Sequence, residues 1–166
     1  MNFAVIGVGS FGLKRAQSVK DSIKGKLKTI IDPNKENIAK AENILKIKSS
    51  TLDDVLKDKD IDVICICTPN KFHKELIIKS LKSGKNVFCE KPLAANLQEA
   101  EEILEISKKY PNKLQIGSNH RYFESVKFAK KLVDENEIGE ILSFSGRIGH
   151  NGERIKNTWF WKKEMS

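Results

Sequence analysis

Three glycines near the N-terminus constrain the fold of this chain more than any other feature. They follow an apolar run, so that residues 3–12 read Phe-Ala-Val-Ile-Gly-Val-Gly-Ser-Phe-Gly with a GxGxxG spacing. This pattern is typical of a buried strand that turns into a helix N-terminus, where backbone N–H groups face a pyrophosphate. Gly7 permits the tight turn, Gly9 lets a ligand approach the backbone, and Gly12 lets the helix pack on the strand. A tight turn without a ligand is the open alternative, because close packing alone also favours glycine.

The formal net charge of +8 over 166 residues points first to a nucleic-acid partner. The positive residues are mostly lysines scattered at helical spacings, however, and no basic block is interleaved with aromatic residues. A solvated, lysine-rich surface therefore explains the charge better, and we expect no nucleic-acid partner. The length suits one domain with a buried core.

The three cysteines, Cys65, Cys67 and Cys89, lie in or beside apolar runs and form neither a CxxC pair nor a cluster with histidine. We predict that they are small core residues and that there is no metal site. Cysteines without a disulfide framework fit a reducing compartment. The N-terminus enters a strand directly, without a signal peptide or an apolar stretch long enough to span a membrane. We therefore expect a soluble, cytoplasmic protein without a membrane partner.

The rest of the chain alternates short apolar strand patterns with amphipathic helix patterns. The run at residues 61–67 is almost continuously apolar and rich in β-branched residues, which indicates a strand buried on both faces. The sequence therefore predicts an α/β fold with a Rossmann-type, doubly wound parallel sheet. The further strands are predicted at 27–31, 86–89, 114–117 and 141–148, and the helices at 13–21, 35–45, 52–56, 71–83, 96–107 and 126–133. Asn70 and Asn96 are predicted N-caps.

Asp32 follows the second predicted strand and stands twenty positions after Gly12. At this place in a dinucleotide-binding fold, a carboxylate accepts hydrogen bonds from the adenine-ribose hydroxyls and repels a 2′-phosphate. The predicted cofactor is therefore NAD in preference to NADP, although the neighbouring cation Lys35 could tolerate a phosphate. The alternative is that Asp32 only opens an Asp-Pro turn.

The segment Glu-Lys-Pro at 90–92 follows a predicted strand and should lie at the same edge of the sheet as Gly7 and Asp32, where ligands of such folds bind. Two other polar segments also follow predicted strands: Thr-Pro-Asn at 68–70 with His73 after it, and Ser-Asn-His-Arg at 118–121. Lys91 is placed for chemistry at this edge, or is simply an exposed loop cation. His73 lies in a first helical turn, where an exposed histidine without a function is the alternative.

Taken together, these residues resemble the N-terminal part of the Gfo/Idh/MocA family, named for glucose-fructose oxidoreductase, inositol dehydrogenase and the rhizopine-catabolism protein. The Glu-Lys-Pro motif after a TPNxxH segment is much more specific than the glycines. The resemblance rests on GVGSFG at 7–12, Asp32, TPN at 68–70, His73, Glu90-Lys91-Pro92, Asn119, Arg121 and Ile-Gly-Glu at 138–140.

The resemblance implies NAD(P)-dependent hydride transfer to or from a sugar, cyclitol or similar polyol, with Lys91 as the catalytic residue. A lysine partly removed from water there would orient the substrate and stabilise a developing alkoxide, and the Lys91–Pro92 peptide bond is expected to be cis. The implied cofactor-binding residues are Gly7, Gly9, Ser10, Phe11, Gly12, Asp32, Thr68, Asn70, His73, Glu90, Lys91, Asn119 and Arg121.

The resemblance also implies a division of the chain. Residues 1–120 match the dinucleotide-binding domain, and residues 121–166 match a linking helix and the incomplete beginning of a substrate and dimerisation domain. The family's Asp-xxx-His motif has no counterpart in these residues, and His150 is predicted to be a loop residue. We expect a truncated or split chain that binds cofactor and turns over slowly or not at all. The alternative is a non-catalytic nucleotide-binding or regulatory module.

The last segment of the sequence is expected to lack its natural covering. Residues 141–148 would form an edge strand without its sheet, and the aromatic residues at 159–161 would have no surface to cover. Unpaired edges promote association. We therefore expect disorder after about residue 149, or a homo-oligomer or aggregate formed through this segment.

Overall fold

The computed structural model describes residues 1–147, 149 and 153. In this part of the chain, five parallel strands form one sheet in the order β2-β1-β3-β4-β5. This architecture confirms the predicted doubly wound α/β fold. The strands are β1 (Asn2–Ile6), β2 (Lys26–Ile31), β3 (Val63–Ile66), β4 (Asn86–Cys89) and β5 (Leu114–Ile116).

Helices cover both faces of the sheet, and each face has its own apolar core. On one face, α1 (Ser10–Lys20) and α2 (Lys35–Leu45) bury alanine and leucine side chains against residues such as Val5 and Ile30. On the other face, α3 (Leu52–Lys57), α4 (His73–Lys82) and α5 (Leu97–Ser107) pack on residues such as Ile6 and Ile64. All four residues of β3 are buried, as predicted for a central strand.

A short segment beside β2 completes the strand order of the fold. Ser49 pairs with Ile30 in an isolated parallel bridge, and the Ser50 N–H donates to the carbonyl oxygen of Ile30 at 3.1 Å. Counting this segment as the third strand along the chain gives the order 3-2-1-4-5-6 of a Rossmann sheet. The direction of winding reverses between β1 and β3, and a crevice for ligands opens at such a switch point.

The register of the sheet aligns all five strands in one row at their carboxyl ends. Ile6 pairs with Ile31 on one side and Ile66 on the other, and the row continues to Cys89 and Ile116. The next N–H after four of these strand ends still donates to a neighbouring strand, at 2.7–2.9 Å. The backbone is therefore fixed up to the first residue of each loop at this edge. These donors are Gly7, Cys67, Glu90 and Gly117.

Two predicted features of secondary structure are wrong. Asn70 does not cap α4: it opens a 3₁₀ turn (Asn70–Phe72), and α4 begins after it at His73 without a side-chain cap. Residues 141–147 are exposed and form no strand, because no described strand pairs with their backbone. The Asn96 cap is confirmed, since its Oδ1 accepts the Glu99 N–H at 2.9 Å.

The helix α6 (Glu124–Asp134), which follows β5 in the described part of the chain, has no buried residue. The predictions made for residue 148, for His150, for the aromatic residues at 159–161 and for disorder or association after residue 149 fall wholly or mainly outside the described residues. Within the described part, none of the helices combines the length and the apolar character that crossing a membrane requires.

Candidate functional site

The glycine loop between β1 and α1 is held by contacts that only glycine permits at two of its three positions. Gly7 has a φ of +85°, and a Cβ there would lie 2.8 Å from the carbonyl oxygen of Cys67. A Cβ on Gly12 would lie 1.7 Å from the carbonyl oxygen of Gly7. Gly9 differs, because no protein atom lies within 4 Å of its would-be Cβ. The loop is therefore closed against β1 and β3 but open at Gly9.

The start of α1 offers backbone donors at this open position. Gly9 precedes the helix without any side-chain cap, and the next two residues, Ser10 and Phe11, are exposed. The N–H groups of a first helical turn lack partners within the helix, and the helix dipole favours an anion there. An uncapped helix beside an unobstructed glycine fits a pyrophosphate group.

Asp32 lies directly beside the glycine loop, at the end of β2. Its Oδ2 accepts the Val8 N–H at 2.8 Å and the Asn37 side-chain amide at 3.2 Å. Its Oδ1 accepts the Asn34 N–H at 2.9 Å. A carboxylate oxygen accepts about two hydrogen bonds, so Oδ1 retains capacity for a ligand hydroxyl. Asp32 both opens the turn at Pro33 and borders the crevice. Its predicted role as a ribose ligand is therefore compatible with its role in an Asp-Pro turn.

The Thr-Pro-Asn loop after β3 is packed inward. Asn70 is buried, and the Thr68 hydroxyl is buried without a hydrogen-bond partner. The His73 ring is 1% exposed, and its Nε2 and Nδ1 lie 2.9 Å from the Thr68 carbonyl oxygen and 2.8 Å from the Pro92 carbonyl oxygen. An exposed first-turn histidine is therefore excluded. His73 ties the loop after β3 to the loop after β4.

The Glu90-Lys91-Pro92 segment presents its central residue to solvent and anchors its neighbours. Glu90 is 6% exposed, and its Oε1 accepts a hydrogen bond from Arg15 Nε at 2.5 Å. Lys91 is exposed, so the described residues do not supply the partial removal from water expected for it. The Lys91–Pro92 peptide bond is cis, as expected.

The loop after β5 completes the edge. Asn119 and Arg121 lie in an exposed 3₁₀ turn (Asn119–Tyr122). Asn119 Oδ1 accepts a hydrogen bond from Arg15 Nη2 at 2.9 Å. The structure thus brings Asn119 into contact with the helix that follows the glycine loop, whereas Arg121 is exposed.

Arg15 and Asn37 are the two residues of this site that the sequence reasoning missed. Arg15 stands three positions after Gly12 and reaches Glu90 and Asn119 in the loops after β4 and β5. Asn37 stands five positions after Asp32. The sequence signal that could have identified them is a polar side chain near the start of a helix that follows a strand-end motif. This signal is weak, because most such side chains point to solvent.

The three cysteines are free, and Cys65 and Cys89 are buried in the sheet. Burial raises the pKa of Cys65 and of Cys89 to about 12, and it raises the pKa of the half-buried Cys67 in the same direction. The thiolate is the reactive form, so these thiols are inert core residues, as predicted. Among the described residues, no group of three histidine, cysteine or acidic side chains converges as a metal site would.

A parallel sheet in this order, with an open glycine loop and a strand-end carboxylate at its switch point, defines a Rossmann-type dinucleotide-binding domain. Residues 1–118 match the oxidoreductase family with an NAD-binding Rossmann fold. The chain belongs to this Gfo/Idh/MocA family, and its Rossmann domain is of the NAD-binding kind.

Similar proteins include enzymes of two named activities. The chain is 35% identical over its whole length to 2,7-anhydro-N-acetylneuraminate hydratase of Escherichia coli (strain K12), covering 45% of that protein. It is 34% identical over 86% of its length to scyllo-inositol 2-dehydrogenase (NAD(+)) of Bacillus subtilis (strain 168), covering 43% of that protein.

A solved structure of a dehydrogenase is also similar to this chain. The scyllo-inositol dehydrogenase from Lactobacillus casei, with bound NAD(H) and scyllo-inositol, superposes with a TM-score of 0.78 at 28% identity. The match covers 85% of this chain and 43% of that one. The chain therefore spans less than half the length of the relatives it matches.

Proposed function

We propose that this chain is the cofactor-binding half of an NAD-dependent oxidoreductase that acts on a sugar, cyclitol or related polyol. The observation that carries the proposal is the arrangement at the carboxyl edge of the sheet. The open glycine loop, Asp32 and the Lys91 loop follow strands that end in one row. A cofactor bound across the switch point would therefore extend toward Lys91.

Different residues of the chain bind different parts of the cofactor. The N–H groups of Ser10 and Phe11 hold the pyrophosphate, supported by the turn at Gly7, Gly9 and Gly12. Asp32 accepts a hydrogen bond from the adenine ribose. The loops that carry Thr68, Asn70, His73, Glu90, Asn119 and Arg121 border the nicotinamide side.

Lys91 is the catalytic residue in this proposal. NAD, when bound, accepts or returns a hydride. The Lys91 ammonium stabilises negative charge on the substrate oxygen and holds or releases a proton at Nζ. Because Lys91 is exposed in the described structure, cofactor and substrate must exclude the water around it.

The chain divides functionally near residue 120. Among the described residues, the fifth strand of the sheet ends at Ile116, and α6, which follows, buries none of its residues. Residues 121–166 thus begin the portion that contributes the substrate wall and a homo-oligomer contact. Sedimentation of the chain at several concentrations tests the homo-oligomer, since a monomer at all concentrations contradicts it.

Titration with NADH, followed by its fluorescence, tests the cofactor half of the proposal. Saturable binding is expected, and its absence contradicts the proposal. NAD⁺ reduction is then assayed with inositol isomers and simple sugars, using this chain and a fusion that supplies the C-terminal portion of a full-length relative. Binding by the chain without turnover in either form favours the non-catalytic module.

A second candidate rests on the match to a hydratase over the whole chain. Hydration of a sugar derivative adds water without net oxidation, so a cofactor used in such a reaction must return to its starting state. The same fusion, incubated with 2,7-anhydro-N-acetylneuraminate and NAD⁺, separates the candidates. Product without net NADH favours the hydratase, whereas stoichiometric NADH favours the dehydrogenase.

A further inference from the structure

Arg15, on α1, contacts two loops at the carboxyl edge of the sheet through a single side chain. From α1 it donates through Nε to Glu90 Oε1 at 2.5 Å and through Nη2 to Asn119 Oδ1 at 2.9 Å. Its guanidinium carbon lies 5.0 Å from the ring centroid of Phe11 and 5.9 Å from that of Phe88. The planar guanidinium suits both the two acceptors and the ring contacts, whereas an ammonium does not.

The carboxylate that Arg15 binds stands immediately before Lys91. The Glu90 N–H donates to the Ile66 carbonyl oxygen at 2.9 Å, so its main chain and its side chain are both fixed. On the other side of Lys91, the Pro92 carbonyl oxygen contacts His73. Lys91 is therefore an exposed residue between two anchored neighbours. Only one of these anchors, Arg15, comes from the helix that begins at the glycine loop.

We propose that Arg15 is a positioning residue that couples the cofactor-binding helix α1 to Lys91. The inference rests on the proposed function, because it assumes that the pyrophosphate binds at the start of α1. The Arg15–Glu90 pair is charge-assisted and mostly shielded, with side chains 25% and 8% exposed, so water competes weakly for it. Cofactor that holds α1 in place thereby holds the Glu90 carboxylate and the main chain of Lys91.

Amide hydrogen exchange of the free chain tests the anchoring. Arg15→Met is expected to raise exchange about tenfold at the amides of Glu90 and Lys91 and at residues 118–122, the size of one lost charge-assisted hydrogen bond. Exchange in β1 and β2 should stay unchanged. Arg15→Lys is expected to restore protection at Glu90 and Lys91 only, since a single ammonium can pair with the Glu90 carboxylate but does not reproduce the second hydrogen bond to Asn119. The matched control is Lys14→Met, an exposed change on the same helix that should alter neither loop.

The result that overturns the anchoring is unchanged exchange at Glu90 and Lys91 in Arg15→Met, or a rise that spreads equally through β1 and β2. The latter would mean general destabilisation. The double variant Arg15→Met/Glu90→Gln, with the two single variants, completes a double-mutant cycle. The effects of the two changes on amide exchange should be markedly less than additive. Full additivity would show that Arg15 and Glu90 act independently.

The coupling to cofactor is tested by reductive methylation of Lys91, measured by mass spectrometry with and without saturating NADH. In the unchanged chain, NADH should slow methylation several-fold. In Arg15→Met, NADH should still bind but no longer slow it, and equal protection would overturn the coupling. If the unchanged chain binds no NADH at all, the proposed function fails and the coupling fails with it, while the exchange experiment still decides the anchoring.

Discussion

The backbone N–H of Val8 donates a hydrogen bond to Oδ2 of Asp32 at 2.8 Å. This contact joins the middle of the glycine loop to the end of a strand 24 residues away. Asp32 is therefore part of the loop's framework as well as a ligand candidate. A substitution there changes two properties, and the experiment must separate them.

The cofactor preference of Asp32 variants separates its charge from its structural contact. Asp32→Ala should lower the ratio of NADPH to NADH dissociation constants about tenfold or more, because it removes a charge-assisted acceptor and the repulsion of a 2′-phosphate. Asp32→Asn should lower the ratio similarly but keep the contact to Val8, so that only Asp32→Ala loses stability in urea. An unchanged ratio in both variants would contradict the ribose assignment.

Two glycine substitutions in the same loop should affect different properties, one the stability of the fold and the other the binding of NADH. Gly12→Ala forces a clash with the Gly7 carbonyl and should lower the free energy of unfolding by about 3 kcal/mol or more. Gly9→Ala meets no atom within 4 Å and should change stability by less than about 0.5 kcal/mol. It should nevertheless weaken NADH binding, because its methyl group occupies the approach of the pyrophosphate. Tight NADH binding by Gly9→Ala would place the phosphate elsewhere.

Replacement of the buried histidine should destabilise the fold. His73→Leu leaves the Thr68 and Pro92 carbonyl oxygens without their partner and should cost about 1–3 kcal/mol in urea unfolding followed by circular dichroism. The matched control is His120→Leu, because that ring is exposed and should cost less than about 0.5 kcal/mol. Equal effects of the two changes would show that the two carbonyl contacts add nothing.

Alkaline pH should destabilise the chain through its thiols. The pKa of Cys65 and of Cys89 is raised to about 12 by burial, so the folded chain holds these protons more tightly than the unfolded chain. Their contribution to stability is complete below the ordinary thiol pKa of about 8.5 and is lost as pH rises toward about 12. The double variant Cys65→Ala/Cys89→Ala should therefore show a shallower decline of the unfolding free energy between these values. Parallel profiles would contradict the burial effect.

Loss of Lys91 should affect turnover and spare cofactor binding. In the fusion that completes the chain, Lys91→Ala should lower kcat by about 10²–10⁴, the range of general acid–base catalysis. The NADH dissociation constant of the chain should change less than about threefold, because binding rests on α1 and Asp32. Lys71→Ala, an exposed lysine in the neighbouring 3₁₀ turn, is the control. Near-normal turnover in Lys91→Ala would remove Lys91 from the mechanism.

Local patterns in the sequence predicted most of the sheet and two of its loops. The apolar run before Gly7 and the Asp-Pro turn at Asp32 are each recognisable from a few consecutive residues. The same holds for α2 and β4, whose bounds match the prediction. Such features depend on backbone preferences and on burial periodicity, which short stretches of sequence already contain.

The contacts between loops could not be predicted in the same way. Arg15 meets Glu90 across 75 residues, and His73 meets Pro92 across 19. The exposure of Lys91 and the burial of His73 depend on which neighbours the fold brings to the edge, not on their own residue types. Nothing in the sequence near Asn70 favours a 3₁₀ turn over a helix start.

The aligned strand ends make the site tolerant of insertions and deletions at one edge of the sheet and intolerant of them within the strands. These ends form a single row of Ile31, Ile6, Ile66, Cys89 and Ile116. Residues added to the surface turns at the opposite edge leave this row intact. One residue added or removed inside a strand displaces its loop by about 3.3 Å and turns its side chains to the other face. Length variation in this chain should therefore be accommodated between the helices and the strand beginnings, while the strands and the loops that leave their carboxyl ends keep a fixed length.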